Sequence, residues 1–136
     1  MNLEDFSHQI SILVEVHVNP SESIARVVQL VKNLIPSISD ELIVEDDLVS
    51  GDFDGDEALH HIYKQFRSRR IISAARRLLN NNRNGEESWL LFNKQAAYSG
   101  VVAICEDHEE SPLGPVRITF TSQRLSEFID WIAPRA

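Results

Sequence analysis

From Ile10 to Val18 the chain reads Ile-Ser-Ile-Leu-Val-Glu-Val-His-Val, with a β-branched residue at positions 10, 12, 14, 16 and 18. A period of two places all five side chains on one face of an extended strand, so the segment demands a sheet with one buried face. Asn19-Pro20-Ser21 ends the strand, and Ser21 can cap a helix because its hydroxyl accepts an orphan backbone N–H. Ile24, Val27, Val28, Val31, Leu34 and Ile35 then recur at helical spacing until Pro36, an apolar stripe suited to covering that sheet.

The remaining elements follow from the same two periods. Leu42–Val44 is a second strand, followed by an acidic stretch from Glu45 to Glu57 around Gly51 and Gly55. A long helix is expected from Asp56, as N-cap, to about Asn80, where an Asn-rich tract and Gly85 stop it. Strands are expected at Trp89–Phe92, Val101–Cys105 and Val116–Thr121, with Asn93–Ala97 as a tight turn or short helix after the first of them. A final helix carries Leu125, Phe128, Ile129 and Ile132. The order β-α-β-α-β-β-β-α predicts an α+β fold: one domain over residues 1–136, with a mostly antiparallel sheet of four to five strands and helices on one face.

Composition bounds the function. One cysteine, Cys105, excludes an internal disulfide, and no apolar run approaches the roughly 18 residues of a membrane span. The opening residues lack a signal peptide's basic region, so a soluble, cytoplasmic protein with no membrane partner is expected. The formal charge of −8 argues on its face against nucleic acid, but it is unevenly spread. Residues 1–60 hold 13 acids against Arg26 and Lys32, whereas residues 61–94 hold eight bases against Glu86 and Glu87. Screening over about 8 Å makes charge a local property. The basic segment therefore either forms a patch for a partner or pairs internally with the acidic first half.

The long helix concentrates that question. Leu59, Ile62, Tyr63 and Phe66 share one face of its first half, while Ile71, Ile72, Ala74, Ala75, Leu78 and Leu79 share a face rotated by about 150°. One straight helix would bury opposite sides at its two ends. Either it breaks near Arg67–Arg70, or the first face packs on something else, such as a second subunit. Arg69 with Arg76, and Arg70 with Arg77, are each seven residues apart, so the four guanidiniums would lie within an arc of roughly 120°. Guanidinium forks match phosphate geometry and stay charged, so this stripe is a candidate reader of a nucleic-acid backbone.

Catalytic and metal-binding patterns are weak. The run Asp52-Phe53-Asp54-Gly55-Asp56 resembles a calcium loop, but the positions that need Gly and a bidentate Glu hold Glu57 and Tyr63. Asp56 and His60 stand one helical turn apart, and two ligands do not make a metal site. Cys105 reads as a small buried hydrophobe, and the acids around Glu106 and Asp107 lack any base–nucleophile pairing. No glycine-rich phosphate loop is present. The chain is expected to be no enzyme, with no metal, cofactor or small-molecule substrate.

Three stretches carry a resemblance. They are Arg70-Ile71-Ile72-Ser73-Ala74-Ala75-Arg76, Leu91-Phe92-Asn93-Lys94-Gln95-Ala96-Ala97-Tyr98-Ser99-Gly100, and Ser111-Pro112-Leu113-Gly114-Pro115-Val116-Arg117, with Asp130-Trp131-Ile132-Ala133-Pro134-Arg135 as a fourth. Together they resemble a family of small archaeal proteins of unassigned activity, grouped with predicted RNA-binding, exosome-linked proteins whose fold is similar to ribosomal protein L5. The resemblance implies an L5-like sheet-and-helix domain and structured RNA as partner. Residues 40–57 are longer and more acidic than the family pattern, which turns that edge away from RNA.

Two readings follow. The first is a non-catalytic binder of structured RNA, with Arg69, Arg70, Arg76, Arg77, Arg83 and Lys94 on phosphates and Asn93 capping a short helix whose free amides would bind an anion. The second is a homodimeric protein–protein module burying Leu59, Ile62, Tyr63 and Phe66.

Overall fold

A computed structural model describes residues 10–36, 42–55, 57–107, 110–111 and 113–135. The expected Asp56 cap and its pairing with His60, and the Pro112 and Glu109 positions, lie outside those residues. The strands are β1 (Ser11–His17), β2 (Ile43–Glu45), β3 (Leu48–Asp54), β4 (Glu87–Asn93), β5 (Ile104–Cys105) and β6 (Pro115–Thr121). The helices are α1 (Ile24–Leu34), α2 (His60–Ser68), α3 (Ile72–Asn81), α4 (Lys94–Tyr98) and α5 (Leu125–Ile132), with a 3₁₀ turn at Glu57–Leu59. The six strands form one antiparallel sheet in the order β2-β3-β1-β6-β4-β5.

The alternation that opens the sequence is realised as read. Ile12, Val14 and Val16 are fully buried, and β6 pairs alongside with Val116, Ile118 and Phe120 on the same face. Val27, Leu30, Val31 and Leu34 of α1, Phe128 and Ile132 of α5, and Ala75 and Leu79 of α3 complete one core. Each such aliphatic or aromatic side chain contributes about 1.5–3 kcal/mol by leaving water. Ser23, rather than Ser21, caps α1 by accepting from the Arg26 amide.

The sheet has six strands because the acidic stretch, for which the sequence predicts no strand, forms a hairpin with β2. β2 and β3 turn at Asp46–Asp47, with Asp46 in the left-handed region at φ 55°. β3 alternates, but its buried partners are weak signals: Val49 is fully buried and Gly51 sits opposite Val14. A Cβ at Gly51 would stand 2.6 Å from the Phe53 ring and 2.7 Å from Leu42, so this glycine serves close packing rather than a turn. Asp52 and Asp54 occupy the opposite, solvent-facing side of the strand, which is why acids are tolerated there. β5 is shorter than the expected 101–105 strand because the Val102 amide donates to the Gln65 side chain instead of a neighbouring strand.

The expected long helix is broken. The Arg70 and Ile71 amides donate back to the carbonyls of Arg67 and Phe66, with Arg70 at φ 56°, which is a Schellman stop. The break lets both apolar faces turn inward. Leu59, Ile62 and Phe66 are fully buried in the chain's own core, and Tyr63 stacks on Trp131 at 4.8 Å. The expected dimer face is therefore corrected: three of its four residues are already covered by the fold, and the fourth is held by α5.

Candidate nucleic-acid interface

The α2–α3 corner is where the basic segment meets solvent. Arg69 and Arg70 form the turn itself, and both are exposed, their side chains making no hydrogen bond or ion pair among the described residues. A non-glycine residue in the left-handed region costs about 1 kcal/mol or more, and such a cost is often retained where the side chain has a role. α3 starts directly after the corner with no side-chain cap on its first amides. Its positive dipole end thus adds to the two guanidiniums. Arg83 lies exposed just beyond the other end of this helix, about 15 Å away by helix length.

The break also dismantles the expected four-arginine stripe. Arg69 and Arg70 no longer share a helix with Arg76 and Arg77. Arg76 is largely buried and committed, donating to Asp130 at 2.8 Å and to the Ala133 carbonyl at 3.1 Å at the end of α5. Arg77 pairs with Glu106, but both side chains are half exposed, and such a pair is worth only about 0–1 kcal/mol. Its guanidinium can exchange onto another anion at little cost. Arg67 is structural: it lies over the Tyr63 ring at 3.5 Å and donates to the Trp131 and Ile132 carbonyls, closing the end of α5.

Asn93 and Lys94 serve the fold. The Asn93 side chain accepts from the Ala96 amide, capping α4 as expected. Lys94 is a correction to the phosphate-binding set, because its side chain is fully buried. Its ammonium donates to the His17 carbonyl (2.6 Å), the Leu113 carbonyl (2.8 Å) and Glu22 Oε1 (2.9 Å), using all three protons. Glu22 in turn accepts from the Asn19 amide and side chain, while its other oxygen accepts from the Tyr98 hydroxyl at 2.7 Å. This buried cluster ties the β1–α1 loop, α4 and the loop before β6 into one unit. Residue-by-residue reading missed it because Lys94 and Glu22 are 72 positions apart. The one local hint was a lysine at helical spacing from Ala97 and Tyr98.

Burial by itself would raise the Glu22 carboxyl, but hydrogen bonds from Asn19, Tyr98 and Lys94 outweigh it and hold the group at about 2, against 4.5 when free. Burial, together with the carboxylate it faces, pushes the Tyr98 phenol up to about 12. A carboxyl depressed on folding stabilises fully above its unfolded value and loses that contribution as pH falls toward the folded one. The urea midpoint is therefore expected to drop between pH 4.5 and pH 2. Glu22→Gln should be less stable at pH 7 and show a shallower dependence across that window. An unchanged slope would remove Glu22 as its source.

Among the described residues no group of three or more His, Cys, Asp or Glu side chains is placed to hold a metal, and no helix is long and apolar enough to cross a membrane. Cys105 is buried, and burial with the nearby Glu110 and Asp107 charges pushes its thiol up to about 11, away from nucleophilic use.

With this geometry in hand, a family model described as RNA binding matches residues 11–122. The chain belongs to that family. A UPF0201 protein of Thermococcus onnurineus is 38% identical over 124 residues, covering 90% of each chain. The crystal structure of an uncharacterised UPF0201 protein superposes with a TM-score of 0.76 at 28% identity, over 93% of this chain and 94% of that one. A UPF0201 protein from Methanococcus jannaschii shares the fold at a TM-score of 0.78 and 24% identity, over 93% and 94% of the two chains. The family of small archaeal proteins expected from the motifs is thus the family found, and the matched segment includes the α2–α3 corner, the buried cluster and the whole sheet.

Proposed function

We propose that the protein binds structured RNA without catalysis, through phosphate contacts from Arg69, Arg70, Arg77 and Arg83 along α3. The family match over residues 11–122 carries the RNA reading. The location rests on which guanidiniums the fold leaves without a partner among the described residues (Arg69, Arg70, Arg83) or holds only by a half-exposed ion pair (Arg77). Arg76 and Lys94 drop out of the expected set because their donors are taken inside the chain, and Asn93 because two of the α4 amides it was to present are already bonded, Lys94 N–H to Ser111 Oγ and Ala96 N–H to Asn93 Oδ1. The remaining four residues and the start of α3 offer positive charge on the helical layer.

Binding to an RNA hairpin should be strongly salt-dependent, since each neutralised phosphate adds about 0.9 to the slope of log K against log salt on a duplex. Four contacts imply a loss of roughly 100-fold between about 50 and 200 mM salt. Arg69→Ala/Arg70→Ala/Arg77→Ala/Arg83→Ala should reduce that slope by about 3 to 4 and weaken binding at low salt by about two orders of magnitude, measured by fluorescence anisotropy. The parent's slope and affinity in this variant, with its thermal midpoint retained, would place the RNA elsewhere.

A further inference from the structure

The helices cover one face of the sheet only. On the other, antiparallel register aligns the odd residues of β1 with the even residues of β3 and the odd residues of β6 and β4. Of these, Leu13, Glu15, His17, Leu48, Arg117 and Thr119, with Glu87, line an open groove of about 650 Å³.

The charge of this face is one-sided. Glu15, Glu45, Asp52, Asp54 and Glu87 all project from it by register. Asp54 accepts from the Ser11 hydroxyl at 3.0 Å, whereas the other four make no ion pair among the described residues. Among the described strand residues Arg117 is the one arginine on this face; it stands opposite Glu15 in register, and its guanidinium lies over the Trp89 ring at 4.5 Å. Between the acids lie apolar side chains in contact with water: Leu13 is 37% exposed and Ile43 57%. An acidic surface of this kind repels phosphate, and the proposed RNA contacts lie on the helical layer behind the sheet.

We propose that the uncovered sheet face is a docking surface for a lysine- or arginine-rich segment of a partner protein. Charge complementarity selects the occupant. Cationic side chains meet Glu15 and Glu87 in the groove and Asp52 beside it, and their aliphatic stems, with neighbouring apolar residues, cover Leu13 and Leu48 in the groove and Ile43 on the adjoining strand. Same-face residues on a strand recur about every 6.5–7 Å, so a segment alternating cationic and apolar residues matches the spacing of the groove. The inference does not depend on RNA binding, because the two surfaces lie on opposite sides of the sheet.

The test uses a synthetic heptapeptide alternating Lys and Leu, an acidic control alternating Glu and Leu, and the full chain. Nuclear magnetic resonance should show the cationic peptide shifting the amides of Leu13, Glu15, Arg117 and Thr119 and the Trp89 indole. Glu15→Gln/Asp52→Asn/Glu87→Gln, which alters only solvent-facing side chains, should weaken binding at least tenfold and leave the thermal midpoint in place. Equal binding by that variant, equal binding of the acidic peptide, or shifts confined to α2 and α3 would overturn the proposal. So would an RNA hairpin that shifts these sheet amides more than the peptide does. Sedimentation showing that the parent self-associates through this face, in competition with the peptide, would assign it to a second copy instead.

Discussion

Lys94→Met is expected to destabilise the fold by about 3–5 kcal/mol, the cost of leaving a buried charge without its partner. Methionine approximates the lysine stem, so the loss is electrostatic and concentrated on Glu22, which is 5% exposed at its side chain. Two carbonyls, of His17 and Leu113, lose a donor at the same time. The thermal midpoint should fall by roughly 10–20 °C for a domain of this size. Lys94→Arg should not rescue it, because three acceptors converge on a compact ammonium and a planar guanidinium does not fit that geometry. The double variant Lys94→Met/Glu22→Gln should regain part of the loss, since it removes the charge that was left stranded. Below its midpoint, Lys94→Met should bind an RNA hairpin as the parent does. A selective loss of RNA affinity in the folded variant would return Lys94 to the phosphate-binding set.

Phe66→Ala should cost about 3–5 kcal/mol, because a fully buried ring is replaced by a cavity between α2 and the rest of the core. The instructive quantity is how the midpoint depends on protein concentration. If Leu59, Ile62 and Phe66 stabilise the chain from within, the urea midpoints of parent and variant do not move with concentration. If they formed a subunit interface, both would rise with it, as mass action requires. The Tyr63–Trp131 stack predicts the same concentration independence for Trp131→Leu.

Much of the architecture was legible because burial here follows simple periods. β1, α1, β6 and α5 lie where alternation or helical spacing placed them, to within two residues. The failures have physical causes. β3 was hidden because its inward positions include Gly51, whose role is close approach, while its outward positions are acids that resemble a loop. The incompatible apolar faces at 59–66 and 71–79 signalled a break, and the break is real, but no glycine marked it because Arg70 takes the left-handed position. For the candidate site, the sequence showed where positive charge is dense and not which cations are spent. Arg76 is engaged by Asp130 across 54 residues, and Lys94 by Glu22 across 72, and separations of that size leave no local trace.

The sheet ends in two very short strands, β2 with three residues and β5 with two. An open sheet face and exposed Ile43 and Val44 would ordinarily invite chains to join edge to edge into growing ribbons. Here each outermost strand offers only two or three residues to template another, and Glu45, Asp46 and Asp47 add repulsion at the β2 end. Short outer strands thus weaken edge-to-edge joining at the margins while the broad face of the sheet stays open.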